Sequence, residues 1–114
     1  MASDNLLEDP IAERRLTLIS DSGELREILV RIGKPVSSPG RADFACEYQI
    51  AGLGEDSVRR IYGLDAFQSL QLTLRFISSM LNHCRKESDG RIYWNEPGDD
   101  MGFVEVEPSA TSGK

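Results

Sequence analysis

Residues that carry chemistry are scarce in this chain. It has one histidine, two cysteines and one tryptophan among 114 residues. Neither GxGxxG nor GxxxxGK[ST] occurs, so no glycine-rich phosphate cradle is encoded. Cys46 and Cys84 form no CxxC and have no second cluster, which removes the usual zinc and redox spacings. One sits in an alternating strand pattern and the other near the end of a helical one, and both read as free buried thiols. His83 beside Cys84 does not make a dyad, because neighbours on a helix diverge by ~100°. Cys46 with His83 stays open geometrically, with nothing else to support it. No apolar run approaches the roughly 20 residues needed to span a bilayer. The N-terminus MASDNLLEDP has neither the basic start nor the apolar stretch of a signal peptide. The expected location is the cytoplasm.

Positive charge is also short. Lysine and arginine number 13 against 19 aspartates and glutamates, a formal net charge of −6. That balance disfavours nucleic acid, whose binding depends on cations displacing condensed counterions. It disfavours anionic membranes for the same reason. It is compatible with a basic protein partner. Arg14–Arg15 and Arg59–Arg60 are the paired cations on strand-like segments, and adjacent strand residues point to opposite faces, so neither pair builds a patch. Cross-strand pairing with Glu13, Glu27 or Glu47 is their expected use. The acidic string around Glu96, Asp99 and Asp100 lacks the ligand spacing of an EF-hand. Carboxylates are plentiful, but nothing selects a pair for acid–base work. No cofactor or metal is expected.

What is present is the pattern of one α+β domain, with 39% apolar and 28% charged residues. Residues 1–12 read as a flexible N-terminal arm, 13–106 as the domain and 107–114 as a flexible tail. Residues 13–20 and 24–32 alternate about the SDSG turn, a β-hairpin with Ile28, Val30 and Ile32 on one face. GKPVSSPGR, 33–41, reads as a loop. DFACEYQI alternates again as a third strand, VRRIYG is a short fourth, and GRIYW (90–94) a fifth. A further short strand over 102–106 would make six. Short polar links favour an antiparallel meander of four to six strands with one long helix packed on one face.

That helix is expected from about 65 to 86. Asp65 and Gln68 resemble a capping box, and Arg85 and Lys86 suit its negative end. Ala66, Leu70, Leu74, Ile77, Leu81 and Cys84 form a stripe within about 40° of Leu70, the face expected on the sheet, with Phe67 beside it. Leu72, Phe76 and Met80 form a second apolar group, about 160° to 280° away. A helix on a single sheet needs only the first. The second is therefore expected to be covered by the chain's own loops and tails or by another chain, a second copy or a different protein. Trp94 among Glu96, Asp99 and Asp100 is a further candidate surface, an aromatic anchor for a basic protein.

The order of RRLTLI, CEYQI, YGLDAFQSLQLTLRFI and GRIYW…GDDMGF resembles a family of short uncharacterised bacterial proteins. Its members pair a β-meander with a helix opening G-x-D-A-x-Q-A-L-x-L-A-L and close on a tryptophan followed by D-x-G-F. The likeness covers about residues 13–103, with Ser69 and Thr73 standing where the family has alanine. It implies the fold and carries no activity to transfer. The expected function is a non-catalytic protein-interaction module, in one form an immunity or antitoxin-like inhibitor of a basic toxin. The alternative is a small-molecule binder or enzyme with a pocket between helix and sheet.

Overall fold

The computed structural model describes residues 6–40, 43–97 and 101–103. Six strands and one helix succeed one another as β1 (Ala12–Ile19), β2 (Leu25–Ile32), β3 (Val36–Ser37), β4 (Phe44–Ala51), β5 (Arg59–Gly63), α1 (Ala66–Glu87) and β6 (Ile92–Tyr93). Every pairing is antiparallel, and the class is α+β with the helix against one face. β5 runs along one edge of β4, while β2 and then β3 run along the other. β1 pairs with β2, and β6 returns after the helix to pair with β1.

The β1–β2 turn forms for the expected reason. Gly23 adopts φ 90°, a region open to glycine at no steric cost. The Ser20 hydroxyl accepts from the Glu24 amide at 3.0 Å. Two expectations need correction here. The segment 33–41 is not all loop, because Val36 and Ser37 pair with Ala45 and Phe44. The Gly33 amide still donates to the Glu47 carbonyl at 2.7 Å; Pro35, with no amide to donate, then interrupts the ladder, and the chain rejoins the same edge of β4. The fifth strand is also shorter than GRIYW, only Ile92 and Tyr93. Residues 101–103 form no strand, and 104–106 lie outside the described residues.

Strand alternation sorts the sheet into two unlike faces. Leu16, Ile28, Val30, Ile32, Cys46, Tyr48 and Ile50 point toward the helix and form the core with Ile77, Leu81, Ile92 and Met101. The other face is a charged lattice. Arg15 reaches Glu27 at 3.0 Å and Glu13 at 3.4 Å, Arg31 reaches Glu13 at 3.1 Å, and Arg60 reaches Glu47 at 3.1 Å. Both arginine pairs split as expected, with Arg14 turned to the opposite face from Arg15. Exposed pairs of this kind contribute about 0–1 kcal/mol each, so they set the solvated face more than the stability. One buried polar group breaks the charged pattern. Gln49 is 2% exposed; its Oε1 accepts from the Leu7 amide at 3.0 Å and its Nε2 donates to the Asp56 carbonyl at 2.7 Å. Arg31 donates to the Leu7 carbonyl at 3.0 Å. Within the expected N-terminal arm, Leu7 is thus buried and held through both its amide and its carbonyl.

The helix begins where expected, by a slightly different device. Asp65 caps it by accepting from the Gln68 amide at 2.8 Å. Gln68 reaches back one residue beyond the cap, accepting from the Leu64 amide at 2.7 Å. At the other end the Ser88 amide donates to the Cys84 carbonyl, and Arg85 and Lys86 occupy the last turn.

The helix keeps Ile77 and Leu81 of the expected stripe in the core, with Leu70 and Cys84 packed against it. It is rotated, however, so that the small residues Ser69 and Thr73 are buried and Leu74 is not. Its buried residues are Ser69, Thr73, Ile77, Ser78 and Leu81, while Leu74 is 44% and Phe67 75% exposed. The cause lies in β5. A Cβ on Gly63 would sit 2.8 Å from the Ser69 Cα, so helix and strand approach backbone to backbone. Only small side chains fit such a contact line, and Ser69 and Thr73 supply them. Their hydroxyls are satisfied within the helix, Ser69 donating to the Ala66 carbonyl at 3.1 Å and Thr73 to the Ser69 carbonyl at 2.7 Å. Burial therefore orphans neither hydroxyl.

Replacing Gly63 by valine forces the two backbones apart. The expected cost is about 1–3 kcal/mol from overpacking, read as a lower urea midpoint at unchanged m-value. An unchanged midpoint would show that the close approach is absent.

Candidate functional site

The rotation of α1 leaves apolar side chains on both flanks of its contact line. On the first flank Leu72, Phe76 and Met80 are 37%, 42% and 39% exposed. They are neither bare nor covered. The Phe76 ring rests on the buried Tyr48 ring, centroids 5.7 Å apart and planes tilted by 59°, a favourable aromatic geometry. Burial pushes the Tyr48 phenol up, with Arg59 pulling it down more weakly. From Ala66 to Lys86 the helix contains no aspartate or glutamate, in a chain whose formal net charge is −6. The ridge is thus set on a stretch of helix free of carboxylates.

On the second flank Leu74 forms the wall of a groove of about 380 Å³. Val30 and Ile32 make its floor, Ile77 and Ser78 continue the helix side, and Gly102 with Phe103 closes the other side. Arg75 stands at the rim. The lining is mainly apolar. The sequence raises a pocket between helix and sheet as an alternative but not its place, because Leu74 reads as facing the sheet and 102–106 as a strand.

Those three residues are fixed by Arg14. Its guanidinium lies 3.7 Å from the Trp94 ring centroid and 4.9 Å from that of Phe103. Its Nη1 donates to the carbonyls of Met101 at 3.3 Å and Gly102 at 2.9 Å. Gly102 has φ 78°, and a Cβ there would come within 2.5 Å of the Trp94 ring. Glycine is required on both counts. Met101 beside it is buried in the core. Trp94, expected as an exposed anchor, is 38% exposed and has one ring face occupied by Arg14. Glu96 is exposed at the same corner, and Asp99 and Asp100 lie outside the described residues. The tryptophan and the G-F dipeptide therefore act together as a clamp on the chain, with a cation between two rings. Arg14 is the residue that sequence reasoning missed here. Strand alternation marks it as facing away from Arg15, but no local pattern tells that its face is covered by a segment 87 residues later.

The candidate catalytic groups are not brought together. His83 is exposed and meets the Glu87 carboxylate at 3.9 Å, one turn on. Cys46 is buried in the core, its thiol donating to the Gly33 carbonyl at 3.5 Å. Burial pushes the Cys46 thiol up, opposed by a hydrogen bond from Thr73, and burial likewise raises that of Cys84. Thiols shifted this way are poor nucleophiles, since the thiolate is the reactive form. Among the described residues no three His, Cys, Asp or Glu side chains converge in a way that could hold a metal ion. No described helix is long and apolar enough to cross a membrane.

No curated protein and no solved structure matches the chain. One family does, and its match spans the whole of the sheet, the helix and the Arg14–Trp94–Phe103 clamp. Residues 12–105 match the domain of unknown function DUF6968, and the chain belongs to that family.

Proposed function

We propose that this domain works by binding another protein through the outer side of α1 and carries out no chemistry of its own. The observation that supports this is the row Leu72, Phe76 and Met80, each more than a third exposed on a rigid helix. Exposed apolar patches on an ordered element mark interaction sites, and aromatic anchors dominate the energetics of such contacts. The contact of Phe76 with Tyr48 holds that anchor in place before binding, which lowers the ordering cost. The Trp94 ring face is taken by Arg14, so the helix ridge carries the reading and the Trp94–Glu96 corner does not. An immunity-like role against a basic protein would rest on the chain's overall acidity; docking on the ridge needs no charge. Two free thiols suit a reducing cytoplasm.

A photo-reactive phenylalanine analogue at position 76, in cells that express the protein, should give one discrete protein adduct. The same group at Glu24, in the β1–β2 turn, should give none. Equal labelling at both positions, or none at either, would remove the proposal.

A second reading rests on the groove beside Leu74. Its volume falls within the ~300–1,000 Å³ typical of small-ligand sites, and the Arg75 cation at its rim suits an apolar body with an acidic head. Laurate is a suitable probe. Titration to about 1 mM should move the amide resonances of Leu74, Ile77 and Gly102 if the groove binds such molecules, and leave them in place if it does not.

A further inference from the structure

We infer that the groove beside Leu74 is closed by the chain itself, with Val104 and Val106 laid on its apolar floor and Glu105 turned out toward Arg75. The inference does not depend on the groove taking a ligand. Three observations lead to it. The first is where the chain leaves the described fold. Phe103 is the last described residue, and with Gly102 it lines the groove. That exit point is fixed. Arg14 holds the carbonyls of Met101 and Gly102, and the Met101 side chain is buried in the core. A segment that starts at a fixed groove wall meets the groove at an effective concentration on the order of millimolar, above that of a second copy in dilute solution.

The second observation is pattern. Val104, Glu105, Val106 and Glu107 follow Phe103, valine and glutamate in turn. In an extended chain such residues point alternately to opposite sides, so one side is apolar and the other acidic. The groove divides the same way. Val30 and Ile32 floor it, Leu74 and Ile77 wall it, and the exposed Arg75 stands at its rim. Among the described residues Arg75 has no ion-pair partner, whereas the Arg14 guanidinium is engaged by the clamp. Two valines seated inward set Glu105 outward, on the side of that cation. The size agrees as well. A volume of about 380 Å³ corresponds to about 7 Å across (its cube root), and three extended residues span ~10 Å. The third observation is extent. The family match runs over residues 12–105, past Phe103, so the domain unit takes in Val104 and Glu105.

Methyl nuclear Overhauser spectra of the full chain test this. The methyl groups of Val104 and Val106 should show contacts to those of Leu74, Val30 or Ile32. Val106→Ser should remove its own contacts and move the Leu74 methyl resonances, with an unchanged helical circular-dichroism signal. Arg75→Glu should weaken the valine contacts, and adding Glu105→Arg should restore them; unchanged intensity in Arg75→Glu would overturn the setting of Glu105. Absence of any contact from Val104 or Val106 to the groove would overturn the inference as a whole. So would contacts seen only between chains in an isotope-filtered mixture of labelled and unlabelled protein, which would make the occupant a second copy. If laurate moves the Leu74 and Gly102 resonances while the valine contacts are missing, the inference falls and the ligand reading of the groove stands. Valine contacts with no response to laurate support the inference and remove that reading.

Discussion

The close approach of α1 to β5 at Gly63 dictates how the helix is turned and therefore which of its side chains meet water. At that point a side chain as small as one methyl on the strand would collide with the Ser69 backbone. The helix can come so near only by presenting Ser69 and Thr73, whose hydroxyls return to its own carbonyls. Once those two residues define the contact line, the positions of all the others are settled by the ~100° step between residues. Ile77 and Leu81 fall into the core. Leu72, Phe76 and Met80 fall on one shoulder, Leu74 on the other. The exposed ridge and the groove are two consequences of one rotation.

That rotation explains which features are legible in the sequence. The strands are, because alternation along β1, β2 and β4 repeats with a period of two and each has one apolar face. The helix limits are, because Asp65 and the last-turn cations are local signals. The helix face is legible in part. Ile77 and Leu81 lie in the core, and Leu70 and Cys84 pack against it, as the stripe implies. Hydropathy, however, scores serine and threonine as polar and cannot know that their hydroxyls are satisfied within the helix. The Leu70–Leu74 stripe looks like the sheet-facing side, and Leu70 is indeed half-buried, but Leu74 is not. The short β3 is hidden by its flanking prolines, since turn chemistry and an edge strand share the same residues.

The candidate surfaces divide the same way. Leu72, Phe76 and Met80 read in the sequence as an apolar group with nothing to face, and they keep more than a third of their surface open. Trp94 stands out for its carboxylate neighbours, yet its ring meets Arg14, a residue 80 positions earlier in the chain (94 less 14). No window of sequence joins them. Trp94, Gly102 and Phe103 are brought together by that contact. Gly102 must pass the indole edge without a side chain, and Phe103 closes the far side of the same guanidinium. The clamp lays Met101 into the core and forms one wall of the groove.

The rotation of the helix is open to direct observation. Nuclear Overhauser contacts should join the Gly63 α-protons to the Ser69 amide proton, while the Leu74 methyl groups show none to β4 or β5. If the Leu74 methyls contact β4 or β5 and Gly63 shows no contact with Ser69, the helix sits on its leucine stripe, and neither the ridge nor the groove exists in this form.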